Sequence, residues 1–126
     1  MSLRTELGKV RGLGAAKAGT HHWWLQRATA IALIPLAVWL IASLVSHVAG
    51  GHAVVTAWIG NPLVAVLLLL FVVAMFYHAR LGLQVVIEDY VHDHGMKLAA
   101  LLAVNFLAIA GGVAGVFAIL KIAFGA

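Results

Sequence analysis

Residues 28–79 read ATAIALIPLAVWLIASLVSHVAGGHAVVTAWIGNPLVAVLLLLFVVAMFYHA, without one Asp, Glu, Lys or Arg. A single bilayer crossing takes about 20 apolar residues, so this stretch is too long for one span. It divides at Ala49-Gly50-Gly51-His52 and again at Gly60-Asn61-Pro62, where glycine, proline and polar residues interrupt a helical pattern. The spacing predicts a first membrane helix over about 22–48 and a second over about 62–88. Pro62 suits the first turn of the second helix, where its missing N–H costs nothing. A polar cluster, Glu88-Asp89-Tyr90-Val91-His92-Asp93-His94-Gly95, separates that helix from a third over about 96–124. The expected fold is an all-α integral membrane protein, with three transmembrane helices in one domain spanning residues 1–126.

Composition points the same way. The 126 residues are 64% hydrophobic and 10% charged, against roughly 45–50% and about 25% in soluble domains. With a mean hydropathy of +1.08, so short a chain needs lipid as its solvent. Having no cysteine, it makes no disulfide and supplies no thiolate to a metal or iron–sulfur cluster. Its uncharged first segment outruns the 7–15-residue core of a signal peptide and is followed promptly by a second span, so it reads as a retained helix.

The formal charge of +4 is not a nucleic-acid signature. Arg4, Lys9, Arg11 and Lys17 crowd the N-terminus with only Glu6 against them, the pattern of a cytoplasmic flank. That cluster predicts a cytoplasmic N-terminus, an outer 49–61 loop, a cytoplasmic 88–97 loop and a periplasmic C-terminus. Three spans expose more helix surface than they bury against one another. In the third, Gly111-x-x-x-Gly115 and Ala108-x-x-x-Gly112 have the spacing that lets helix backbones approach. Glycine is also simply common in membrane helices, and a partner subunit is expected on either reading.

An ionisable side chain within hydrocarbon is costly and marks function by default. His78 lies about ten residues, or ~15 Å of rise, from the cytoplasmic end of the second helix. Two readings stand: a neutral histidine hydrogen-bonded to a neighbouring helix, or an axial haem ligand. At about 100° per residue, Gly82 falls one turn on from His78 and Asp89 falls near the same meridian. Arg80 faces nearly the opposite side, to snorkel or to pair with another chain. His47, His52, His92 and His94 sit at helix ends or in loops and read as interfacial. The chain thus offers one deep histidine, and a bis-histidine haem needs its second ligand from another polypeptide. Trp23 and Trp24 fit an interfacial belt. Arg27 either snorkels to the headgroups or pairs with a nearby carboxylate, such as a haem propionate.

Two stretches carry a family resemblance. His78-Ala79-Arg80-Leu81-Gly82-Leu83-Gln84-Val85-Val86-Ile87-Glu88-Asp89-Tyr90 resembles the H-x3-G-x-Q-V-x3-D-Y segment of the haem-b membrane-anchor (D) subunits of succinate dehydrogenase, respiratory complex II. His22-Trp23-Trp24-Leu25-Gln26-Arg27-Ala28-Thr29-Ala30 resembles the R-A-T-A entry to that family's first helix, and the wording near Tyr90 is most similar to alphaproteobacterial members. The resemblance implies His78 as an axial ligand of haem b, hence of its iron, with the other histidine from a companion C subunit. It implies Asp89 and Tyr90 at a ubiquinone site, Arg27 near the haem propionates and quinone, and His21 as a further candidate there. It also implies an inner-membrane complex with a flavoprotein and an iron–sulfur subunit, in which this chain touches no succinate and has no activity alone. Two other readings remain open: the anchor of a fumarate reductase, or a cofactor-free structural or transport-accessory protein whose His78 is merely packed.

Overall fold

The computed structural model describes residues 5–12 and 17–125, apart from the side chains of Lys9, Lys17 and Ala18. Arg4 and the side chains of Lys9 and Lys17, three of the four basic residues of the expected charge cluster, therefore lie outside the described residues. All described regular structure is helical: α1 (Glu6–Val10), α2 (Lys17–Val48), α3 (Gly51–Ile59), α4 (Pro62–Tyr90) and α5 (His94–Ala123). Within α2 (as Gly19–Val48), α4 and α5 the chain is long and apolar enough to cross a membrane.

Local chemistry explains the boundaries. Thr5 opens α1, its hydroxyl accepting from Gly8 N–H at 3.1 Å. Asn61 caps α4 by accepting from the N–H groups of Leu63 and Val64, with Pro62 in the first turn. Asp93 caps α5, accepting from Met96 N–H at 2.7 Å. Because that cap sits so close behind α4, only residues 91–93 separate the two helices. The expected 88–97 loop is accordingly shorter than its polar composition suggested. The expected 49–61 loop differs more, because most of it is the helix α3. Glycines flank that segment, and Gly51 takes a φ of 79°, a turn conformation that side chains resist. Between them, Ala53-Val54-Val55-Thr56-Ala57-Trp58-Ile59 contains no breaker. Its Trp58 stacks on His47 (centroids 5.2 Å apart) and lies 5.9 Å from the ring of Trp39. That stack fixes the connection between α2 and α4.

The central element is α4, packed against both α2 and α5. Its contacts with α5 run in antiparallel register. A Cβ placed on Gly115 would meet Val72 at 2.9 Å, and one on Gly111 would meet Phe76 at 2.5 Å. One turn further, Arg80 Nε donates to Asn105 Oδ1. In the other direction Leu68 and Ile119 share a buried cluster with Ala65. The Gly111-x-x-x-Gly115 spacing is thus used inside the chain, where two missing side chains admit Phe76 and Val72. Arg80 likewise finds its partner on α5 of its own chain rather than on another chain, with its guanidinium 5.9 Å from the Tyr77 ring. Fourth-position steps along both helices make a seam of this kind, which uses Gly111 and Gly115 within the chain and leaves Ala108 and Gly112 lining an open cavity.

Gly111→Ala forces its Cβ into the Phe76 ring. Overpacking of this kind costs about 1–3 kcal/mol. The expected result is a lower melting temperature of the detergent-solubilised protein, partly restored by adding Phe76→Leu. Strictly additive effects of the two substitutions would show that the residues do not touch.

Candidate functional site

α2 and α4 meet at two levels. Nearer α3, Trp39 packs on the cluster of Ala65, Leu68 and Ile119. Nearer the 91–93 turn, Thr29 Oγ1 lies 3.0 Å from His78 Nδ1. Beside that contact lies a cavity of about 460 Å³, lined by Trp23, Gln26, Arg27, Ala30, Ile31 and His78. A histidine and an arginine from two separate sequence motifs are therefore brought to one cavity.

Each wall has a local cause. Trp23 and Arg27 are four residues apart on α2, hence on one face. The Arg27 guanidinium lies 4.8 Å from the Trp23 ring centre, a cation–π contact that holds the charge against the cavity wall. Trp23 in turn meets Trp24 edge to face, with centroids 5.8 Å apart. The two tryptophans thus differ in role: Trp23 is part of the cavity, and Trp24 supports it. His78, two residues past the centre of α4, is half-buried.

Along α4 toward its C-terminus, Gly82 follows His78 by one turn, and a Cβ built there meets nothing within 4 Å. The helix is unbroken from His78 to Tyr90, so the stripe from His78 through Gly82 to Asp89 persists. It rises about 16 Å from the histidine to the carboxylate. Asp89 and Tyr90 are exposed at the helix end, Tyr90 at 78%. Neither lines the His78 cavity. His21 is exposed on α2 and also lies off that cavity. Glu88 at this end is engaged within the chain: its carboxylate accepts from Gln84 Nε2 at 2.8 Å and its carbonyl from Lys97 Nζ at 3.4 Å.

Among the described residues, no group of three or more His, Asp or Glu side chains forms a metal site. What the arrangement fits is a flat macrocycle with anionic arms. His78 would offer it one nitrogen and Arg27 a cation from the same cavity, and Gly82, one turn on, has open space where a side chain would stand. The sequence reading missed two members. Gln26 stands beside Arg27 and Thr29 sits inside the R-A-T-A stretch, and neither is distinguished by its own chemistry. A hydroxyl on an apolar helix was the available signal, but beyond the carbonyls of its own helix it has no partner until α4 is placed beside it.

This arrangement defines a multi-pass integral membrane protein with a histidine-bearing cavity between its first two long helices. Residues 1–112 match the family described as succinate dehydrogenase/fumarate reductase transmembrane subunit, and the chain belongs to it. The chain is 38% identical over 117 residues to a succinate dehydrogenase hydrophobic membrane anchor subunit of Rickettsia conorii, covering 92% of this chain and 93% of that one. It is 35% identical over 116 residues to the like-named subunit of Rickettsia bellii, with the same coverage. The subunit of Paracoccus denitrificans is 30% identical over 97 residues, covering 77% of this chain and 75% of that one. No solved structure matches the chain. With three apolar helices and these relatives, it is a multi-pass protein of the bacterial inner membrane.

Proposed function

We propose that this chain is the hydrophobic anchor of a succinate dehydrogenase, holding one side of a b-type haem and of a ubiquinone site. The observation that carries this reading is the shared cavity of His78 and Arg27. His78 would ligate the iron, Arg27 would pair with a propionate, and the open face at Gly82 would receive the ring edge. A companion anchor would supply the opposite histidine, since among the described residues His78 is the one histidine lining the cavity. When bound, the haem supplies a one-electron redox centre.

The chain's own residues do simpler work. At the exposed end of α4, Tyr90 donates a hydrogen bond to a quinone carbonyl, and the neighbouring Asp89 relays protons from the aqueous side. Both side chains are exposed here, which suits a site completed by an iron–sulfur subunit and the second anchor. Succinate is oxidised on the flavoprotein, remote from this chain. The basic N-terminal flank supports an orientation with the N-terminus, the 91–93 turn and the quinone end on the cytoplasmic side and the C-terminus in the periplasm. Succinate oxidation is favoured over fumarate reduction by the relatives, whose names specify succinate dehydrogenase.

Complex purified from native membrane is expected to contain flavoprotein and iron–sulfur subunits and to show b-type haem absorbance, lost in His78→Ala. An unchanged spectrum in that variant removes the haem role. Tyr90→Phe is expected to slow quinone reduction about tenfold, the effect of losing one hydrogen bond of about 1.4 kcal/mol. Succinate oxidation by a soluble acceptor should persist, and equal loss of both activities would count against a quinone site. A C-terminal alkaline phosphatase fusion should be active, because that enzyme folds only in the periplasm; an inactive fusion reverses the orientation.

A further inference from the structure

The hydrogen bonds around Thr29 determine which nitrogen of His78 is left for a ligand. Thr29 Oγ1 lies 2.7 Å from the Leu25 carbonyl oxygen and 3.1 Å from that of Gln26, as well as 3.0 Å from His78 Nδ1. A threonine hydroxyl has one proton, and a carbonyl has none. Two oxygens at 2.7 Å are at the ordinary length of an O–H···O bond, so that one proton points to Leu25. The hydroxyl has nothing left to donate to the imidazole. Nδ1 must therefore bring its own proton and donate it to Thr29. A neutral imidazole carries only one N–H, so Nε2 keeps its lone pair.

We infer that Thr29 is a positioning residue: anchored by its own helix, its hydroxyl holds His78 in the Nδ1–H tautomer and reserves Nε2 as the iron-ligating atom. This rests on the haem reading above. It deepens that reading, because the alternative tautomer would put a proton on Nε2, where the metal must bind. The contact also joins α2 to α4, so the R-A-T-A stretch supplies both the cation of the cavity and the support of the ligand. A hydrogen bond donated from the distal nitrogen raises the basicity of a histidine ligand. A more basic ligand favours ferric over ferrous iron, so removing the bond shifts the haem midpoint potential upward.

The test compares purified wild-type complex with Thr29→Val and Thr29→Ser. Val keeps the branched shape but deletes the hydroxyl, whereas Ser keeps the hydroxyl. The Val variant is expected to show a raised haem midpoint potential, an altered low-temperature EPR signal of ferric haem, and about tenfold weaker haem retention, as for loss of an outer-shell partner. The Ser variant is expected to match wild type in all three. A fully loaded Val variant with unmoved potential and signal overturns the inference while leaving the haem reading intact. A wild-type complex without b-type haem overturns the haem reading itself and the inference with it. If the Val variant does not assemble, nitrogen NMR of ¹⁵N-histidine-labelled wild-type complex decides. A protonated, hydrogen-bonded Nδ1 on His78 supports the assignment, and a bare Nδ1 overturns it.

Discussion

Hydrocarbon offers no hydrogen bonds, so a polar side chain within it must find a partner on another helix or on a ligand. This chain meets that constraint twice, from the same helix and on opposite sides. His78 reaches α2 through Thr29, and Arg80 reaches α5 through Asn105. Because the two residues are two apart on α4, they project about 200° from each other around the axis. One polar pair on each flank ties both neighbouring helices to the centre. The donors and acceptors are local: Thr29 is also bonded to Leu25 and Gln26, and Asn105 Nδ2 donates to Leu101. Each partner is therefore held by its own helix before it meets α4.

Apolar packing completes the seams but does not close the molecule. Among the described residues only Ala65, Leu68, Leu81 and Ile119 are buried. Large side chains such as Ile31, Ile34, Val38 and Ile41 on α2 remain more than 60% exposed. In water that surface would drive aggregation; in a membrane it faces acyl chains or a partner helix at little cost. The cavity beside Ile31 belongs to the same incomplete face, so the unfinished packing and the candidate site coincide. An anchor subunit with neighbours has reason to be built this way, its site bounded on one side only.

Much of this was legible in the chain itself. The uncharged run to Ala79 and its glycine and proline breaks required two spans, the polar 88–95 cluster set off a third, and Asn61-Pro62 marked the start of α4. His78, Gly82 and Asp89 fell on one stripe from helical periodicity alone. What escaped was of two kinds. The segment after Gly51 read as a loop because its flanking glycines hide a helix of nine residues, one whose Trp58 is stabilised by stacking on His47. Gly111 and Gly115 read equally as a surface for another chain. Only their approach to Phe76 and Val72 shows that they are used within this one.

The candidate site divides along the same line. His78 and Arg27 stood out in the sequence because charge and imidazole are rare and costly in lipid, which is a property of each residue alone. Their meeting in one cavity, and the role of Thr29, depend on residues 49 positions apart in the chain. Spacing along a helix specifies which side chains share a face, and so determined the stripe on α4. It does not specify which face of α2 meets that stripe, or how far α2 is displaced along it. Those are decided by the α2–α4 contacts, from Trp39 near α3 to Thr29 nearer the 91–93 turn, and only with them in place does a threonine become the partner of a histidine.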